Sequence, residues 1–277
     1  MKDTDCIAFL QWALPKLHLR WAGFRKVRRQ VCKRIERRMR ALELGDVAAY
    51  RRYLETHPAE WQVLDGLCRI TISRFFRDRQ VFACLETEVL PALAVRSAAR
   101  GRGMLRMWSA GCASGEEPYS LALLWHLVLK ARFPAVTIRI LATDTDTAVL
   151  ERARRACYAA ASLRELPAGW RDLAFKQVNE TYCLKPKYRA GVDVVCHDVR
   201  TPAPDGSFDL ILCRNLAFTY FDLEQQQAVL SRLWNVLVPG GALVIGAHET
   251  LPEHTLELTR WAAKSGIFVK GKPPGTG

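Results

Sequence analysis

Residues 105–130, LRMWSAGCASGEEPYSLALLWHLVLK, join a short apolar run of strand length to a helical one through a turn that holds Gly111 and Gly115. Glycine lets a backbone turn tightly and approach a ligand closely, so this is the expected first step of a βα unit. The pattern recurs downstream. TIRILATD, VDVVCHD, FDLILCRN and GGALVIGA read as further strands, and TAVLERARRA and QQQAVLSRLWNVL as helices between them. Strand and helix in alternation predict an α/β fold, a doubly wound, Rossmann-like and mostly parallel sheet with its ligand crevice at the carboxyl ends of the strands. One segment departs from the pattern: FKQVNETYCLKPKYRAG, within residues 170–191, predicts a small antiparallel β insert turning at Asn179-Glu180.

The N-terminal part is different. From Trp21 to Leu44 the sequence spaces Val27, Val31, Ile35 and Met39 four apart among basic residues, which predicts one amphipathic helix. Gly45 reads as its C-terminal cap and Asp46 as the N-cap of the next helix, VAAYRRYLETH, with Pro58 punctuating before AEWQVLDGLCRI. The expected organisation is an all-helical basic domain over 1–85, the α/β domain over 86–270 and a disordered tail over 271–277. Charge follows it: the first 80 residues hold 18 Lys and Arg against 9 Asp and Glu, most of the chain's net +13.

Composition removes several classes. The longest uncharged apolar run, Leu233 to Ala247, contains Pro239, Gly240 and Gly241 and is shorter than the ~18 residues a membrane span needs. No secretory signature opens the chain, so the expected location is cytoplasmic. The nine cysteines are odd in number, scattered and never in a C-x-x-C pair, which argues for reduced thiols over a disulfide framework or zinc site. The six histidines show no metal-ligating spacing, and no metal is expected.

A phosphate-binding turn keeps its helix N-terminus free for anions, yet here Glu116 and Glu117 occupy it. A carboxylate there repels pyrophosphate and attracts a cation. The G-x-x-x-G spacing alone is equally compatible with a structural turn. Asp144 ends the second strand, where an acid can accept both hydroxyls of a ribose; its alternative role is to cap the helix beginning near Thr147, which Asp146 could do instead. Asp198 ends the third strand, placed to accept from an adenine amino group. A nucleoside with a positive charge and no phosphates suits this set, and S-adenosylmethionine (SAM) is that molecule.

The run Gly115-Glu116-Glu117-Pro118-Tyr119-Ser120, with Cys213-Arg214-Asn215 before Tyr220-Phe221, Leu237-Val238-Pro239-Gly240-Gly241 and Phe75-Phe76-Arg77, resembles the CheR family of chemotaxis-receptor glutamate methyltransferases across residues 20–255. The resemblance implies SAM as cofactor, S-adenosylhomocysteine as its product, no metal, and a methyl ester formed on a protein glutamate. It implies cofactor contacts from Thr71, Ser73, Arg77, Glu116, Asp144, Asp198 with Val199, and Asn215 with Leu216, beside the turn glycines Gly111 and Gly115. Arg77, Arg214 and Tyr220 would face the substrate. Three departures lie near the reacting centre: Thr71 and Ser73 stand where the family has Asn and Thr, the loop before Tyr220 is one residue longer so that Thr219 or Tyr220 takes the family's tyrosine position, and His248 replaces a serine in Gly246-Ala247-His248-Glu249.

Blander readings stand beside these. Arg77 reads equally as a solvated helix arginine, Tyr220 as a core aromatic and His248 as a polar group at a strand end, whereas an unpaired Arg214 at the end of an apolar strand would be costly. The basic helix over 25–40 is either a solvated face or a dock for an acidic protein, such as a chemoreceptor cytoplasmic domain. Nucleic acid is the weaker third reading, because no stacking aromatics interleave the basic residues. A monomer is expected. A different methyl acceptor and a non-catalytic SAM-binding sensor or scaffold are the rival functions.

Overall fold

A computed structural model describes residues 2–261 and 266–271, and of the expected disordered tail only Gly271 lies among them, bridged to Leu258. In chain order the strands are β1 (Met104–Ala110), β2 (Thr137–Asp144), β3 (Cys157–Ala159), β4 (Phe175–Val178), β5 (Thr181–Leu184), β6 (Val192–Cys196), β7 (Phe208–Leu212), β8 (Leu237–Val244), β9 (Leu258–Arg260) and β10 (Ile267–Lys270). The main sheet runs β6-β2-β1-β7-β8-β10-β9. Its first five strands are parallel and its last two antiparallel. From β1 the chain winds outward through β2 and β6, then crosses to β7 and β8 on the other side. The strand order therefore reverses between β1 and β7, the position beyond whose carboxyl ends an open α/β sheet binds its ligands. All five residues of β7 are buried, as a parallel strand covered on both faces requires.

The strand expected over GGALVIGA begins earlier, at Leu237, and runs through Pro239, Gly240 and Gly241 with a register irregularity against β7. Proline in a strand lacks the amide its ladder would use, and the irregularity accommodates it. The predicted insert is present, with a two-residue turn in which Asn179 takes a φ of 52°. It gains a third strand, β3, which pairs with β5 and which three residues could not announce.

Two units divide the described chain, Met1–Ile70 with Leu216–Gln226, and Thr71–Asn215 with Gln227–Gly277. The division falls at Ile70, not at residue 85, because Phe75, Phe76, Phe82 and Leu85 are buried in the same apolar cluster as Leu105 and Met107 of β1. In the first unit the expected helix over Trp21–Leu44 is two: Trp21–Phe24 and Arg28–Ala41. The second buries Val31, Ile35 and Met39, each worth about 1.5–3 kcal/mol of transfer energy. Val27 falls outside it. Gly45 does not cap it either. Glu43 takes the left-handed position at φ 56° instead, its amide donates to Arg40, and the Leu44 amide closes on the Met39 carbonyl at 2.9 Å. Asp46 caps the next helix as expected, accepting from the Ala49 amide at 2.7 Å.

The cysteine expectation is corrected. Cys6 is disulfide-bonded to Cys32 and Cys157 to Cys183, leaving Cys68, Cys84, Cys112, Cys196 and Cys213 free. Cys157 and Cys183 are register partners across β3 and β5, and Cys6 and Cys32 lie on two helices of the first unit. Tertiary pairing joins residues 26 apart in each case, a spacing with no local signature. Burial pushes the free Cys68 thiol up to about 12.

Candidate active site

The end of β2 shapes the glycine loop. The Thr143 carbonyl accepts the amides of Gly111 and Cys112, both at 2.8 Å, and the Asp144 carboxylate accepts those of Ala113 and Asp146, both at 3.0 Å. Asp146 caps the helix Thr147–Arg155 through the amides of Ala148 and Val149. Asp144 is thereby released from the capping role and secures the loop. Burial raises its pKa, and the amides of Asp146, Ala113 and Thr145 hold part of that rise back. Gly115 sits at φ 92°, and a Cβ there would lie 2.9 Å from the Tyr119 ring and 3.0 Å from Ala153. Only glycine fits.

Past Gly115 the two glutamates diverge in role. Glu116 is 5% exposed, and one of its oxygens, Oε2, is buried without a hydrogen-bond partner. Burial raises its pKa, with its own amide and the Ser73 hydroxyl pulling the other way. An orphaned, buried acceptor beside the glycine loop fits a ligand that brings a positive charge or an N–H donor. Glu117 instead accepts from the Ser109 hydroxyl at 2.7 Å and from Arg214 Nη1 at 3.1 Å. The side chain of Arg214 is 2% exposed, and its Nη2 donates to Asp78 at 2.7 Å and to the Arg77 carbonyl at 2.9 Å. Sequence reading places Arg214 on the substrate side. In the fold both its terminal nitrogens are engaged within the protein.

Those bonds fall on an unusual turn. Phe76 and Asp78 have φ of 52° and 63°, a region that non-glycine residues seldom enter and that costs free energy to hold. Four bonds restrain it: the Phe75 amide to the Ser162 carbonyl, the Phe76 amide to Ser120 Oγ at 2.9 Å, and Arg214 to both the Arg77 carbonyl and the Asp78 carboxylate. Arg77 itself is half-buried and donates to the carbonyl of Ile72 at 3.0 Å, a neutral partner. Thr71 and Ser73 lie on the segment leading into this turn, both half-buried.

Of the remaining candidates, Asp198 follows β6 and is gripped by Arg200, whose Nη2 lies 2.7 Å from its carboxylate, while Val199 is buried. Asn215 follows β7 with φ 54°. Since β6, β2, β1 and β7 are adjacent and parallel, Gly111, Gly115, Glu116, Asp144, Asp198 and Asn215 gather at one edge of the sheet. Leu216 and Tyr220 belong to the first unit. There Leu216 precedes the short helix Ala217–Tyr220, and the half-buried Tyr220 packs its ring 5.1 Å from that of Phe24. His248 is exposed. Asp78, Glu117, Arg200 and Glu249 were not singled out as site residues by sequence reading. The second acid of G-E-E-P and the last residue of Gly246–Glu249 were the available signals.

The basic segment sorts into two sets. Arg28 pairs with Asp3 at 2.9 Å, Arg34 donates to the carbonyls of Leu67 and Arg69, and Arg38 pairs with the buried Glu60 at 2.7 Å. Arg29, Lys33 and Arg37 are exposed, and their four-residue spacing places them along one face of the helix. The expected dock over 25–40 thus reduces to these three and the exposed Arg40, 3.8 Å from Glu36, with Arg25 and Lys26 exposed just before the helix.

Residues 71–267 match the CheR methyltransferase, SAM binding domain, and residues 26–64 the CheR methyltransferase, all-alpha domain. The chain belongs to the CheR methyltransferase family. Chemotaxis protein methyltransferase of Listeria monocytogenes is 40% identical over 186 residues, 67% of this chain and 68% of that protein. Chemotaxis protein methyltransferase 2 of Pseudomonas aeruginosa is 33% identical over 236 residues, covering 83% and 81%. That of Salmonella typhimurium is 32% identical over 233 residues, covering 80% and 76%. This CheR-family chain is therefore a SAM-dependent methyltransferase, with a Rossmann-like SAM-binding domain, an all-α N-terminal domain and a small antiparallel sheet. Among the described residues no helix is long and apolar enough to cross a membrane.

Proposed function

We propose that this CheR-family protein transfers the methyl group of SAM to a glutamate side chain of an acidic protein, of the chemoreceptor cytoplasmic kind. The observation that carries the reading is the Glu116 carboxylate. It keeps a buried oxygen without a partner at the start of the helix that follows the glycine loop, suited to a ligand that carries a positive charge.

When bound, SAM supplies a methyl group activated by a sulfonium. Glu116, Asp144, Asp198, Asn215 and the turn of Gly111 and Gly115 would hold it, with Thr71, Ser73 and Val199 as further candidates. A glutamate with an ordinary pKa of about 4.3 is already an anion at neutral pH, so the protein need supply no base. Its work is alignment, which can be worth about 7–11 kcal/mol of the barrier. Arg77 would hold the acceptor carboxylate in a fork, with Arg214 fixing the turn that carries Arg77. The acceptor oxygen would take the methyl group from the bound cofactor, whose sulfur would keep the electron pair of the broken carbon–sulfur bond and leave as S-adenosylhomocysteine. No proton moves. The exposed cations Arg25, Lys26, Arg29, Lys33, Arg37 and Arg40 suit an acidic partner.

Labelling tests the acceptor. The protein is incubated with methyl-labelled SAM and a chemoreceptor cytoplasmic fragment, and the labelled product is taken to high pH. An ester releases volatile methanol, as expected here. Base-stable label would replace glutamate with another acceptor, and SAM binding without any label would favour the sensor or scaffold.

A further inference from the structure

We infer that Glu249 is a positioning residue for the methyl-transfer site, holding Asn215 in place through a carboxylate that bridges the ends of two neighbouring strands. The inference rests on the proposed cofactor site, in which Asn215 is a contact. β7 and β8 run in parallel as far as Leu212 and Val244, and the ladder closes with the Cys213 amide on the Val244 carbonyl at 2.9 Å. Beyond that point the amides of Asn215 and Gly246 have no strand partner. Both donate to the same oxygen, Glu249 Oε2, at 2.9 and 2.6 Å. Charge-assisted bonds of this kind are roughly twice as strong as neutral ones.

The geometry around this oxygen is closely restricted. Asn215 stands at φ 54°, which costs an L-residue free energy unless its surroundings hold it there. Glu249 is itself fixed by its amide, which donates to the Gly246 carbonyl at 2.9 Å. A Cβ on Gly246 would lie 2.5 Å from the Asn215 Nδ2 and 2.7 Å from Glu249 Oε2, so the glycine is the gap in which carboxamide and carboxylate meet. β7 borders the reversal of strand order, and Asn215 is the third residue past its end. A rotation of its backbone would move its side chain at the carboxyl edge of the sheet without disturbing the buried strand. Glu249 thus acts on the cofactor through Asn215.

The test compares Glu249→Ala, Glu249→Gln and Gly246→Ala with the wild type, by calorimetry for SAM and S-adenosylhomocysteine, labelled-methyl turnover and thermal unfolding. Glu249→Ala should weaken both ligands by about tenfold or more. Glu249→Gln keeps a carbonyl acceptor without its charge and should recover part of the lost affinity. Gly246→Ala should reproduce the alanine defect with the acid still present. A folded Glu249→Ala protein with wild-type affinity and turnover would overturn the inference. So would a fall in melting temperature shared by the Ala and Gln variants with affinity unchanged. Should Glu249→Ala fail to fold, Gln and Gly246→Ala decide: wild-type affinity in both overturns it. A wild-type protein that binds no SAM would overturn the site reading itself, an outcome separate from any variant.

Discussion

Arg214 Nη2 lies 2.7 Å from the carboxylate of Asp78, a residue at φ 63° and 136 positions earlier in the chain. With Glu117 on Nη1, the buried guanidinium is clamped between the helix that follows the glycine loop and the turn that carries Arg77. A strained turn persists only where its surroundings over-determine it. Arg214 supplies much of that restraint.

Arg214→Ala is therefore expected to leave Glu117 without its cation and to release the turn. Removing one partner of a buried pair costs about 3–5 kcal/mol, and methyl transfer should be lost with it. Thermal unfolding and turnover of Arg214→Lys sharpen the test: an ammonium cannot fork, so lysine should restore little of either. A lysine variant with wild-type turnover would show that the turn does not depend on the fork.

Glu116→Gln should bind SAM far more weakly while making the ligand-free protein more stable at neutral pH. The sign follows from burial, which raises the folded pKa of Glu116. The protonated acid contributes stability that is fully present below the unfolded value, about 4.3, and is lost as pH rises through the folded value. Wild-type stability should fall across that window as SAM affinity rises, because the ionised acid pairs with the cation. Asp144 is raised in the same direction, so the glutamine variant should flatten the profile only in part. Melting curves with and without SAM from pH 4 to 8 provide the measurement.

Asp144→Ala should weaken SAM binding by about 1.5–3 kcal/mol, roughly ten- to a hundredfold by calorimetry. Asp144 also holds the Ala113 and Asp146 amides, so the loop as well as the ribose contact is affected. Asp144→Asn, which keeps an acceptor for one amide, should sit between alanine and the wild type.

Reversing Arg29, Lys33 and Arg37 to glutamate should slow methylation of an acidic protein substrate, leaving SAM affinity and melting temperature unchanged. The wild-type rate should fall with added salt. Arg38→Glu, by contrast, should unfold the first unit, because it sets a like charge against the buried Glu60, which also accepts from Tyr50 at 2.9 Å. Arg38 holds Glu60 below the ordinary carboxylate range, so that pair's contribution is present above the unfolded value and lost as pH falls through the folded one. Equal rates in the triple variant and the wild type would make the exposed stripe a solvated face.

What sequence alone determined is local in origin. Apolar runs of strand length, helical periodicity between them, the glycines at a turn and the acids at strand ends are each written within a dozen residues, and they specified the wound sheet and the acids that gather at its carboxyl edge. Capping was half legible: Asp46 announced itself, but Glu43 displaced Gly45 because the closure depends on where the helix ends in three dimensions. Tertiary structure alone decided which charges meet. Arg214 finds Glu117 97 positions away and Asp78 136 away, Cys157 finds Cys183 across a strand pair, and Glu249 reaches the amide of Asn215 34 positions away. It also separated Arg38, committed to Glu60, from Arg37 beside it, exposed to solvent. The physical reason is common to all of them: a hydrogen bond needs its partners at about 3 Å, and a distance of that size between residues far apart in sequence exists only once the chain has folded.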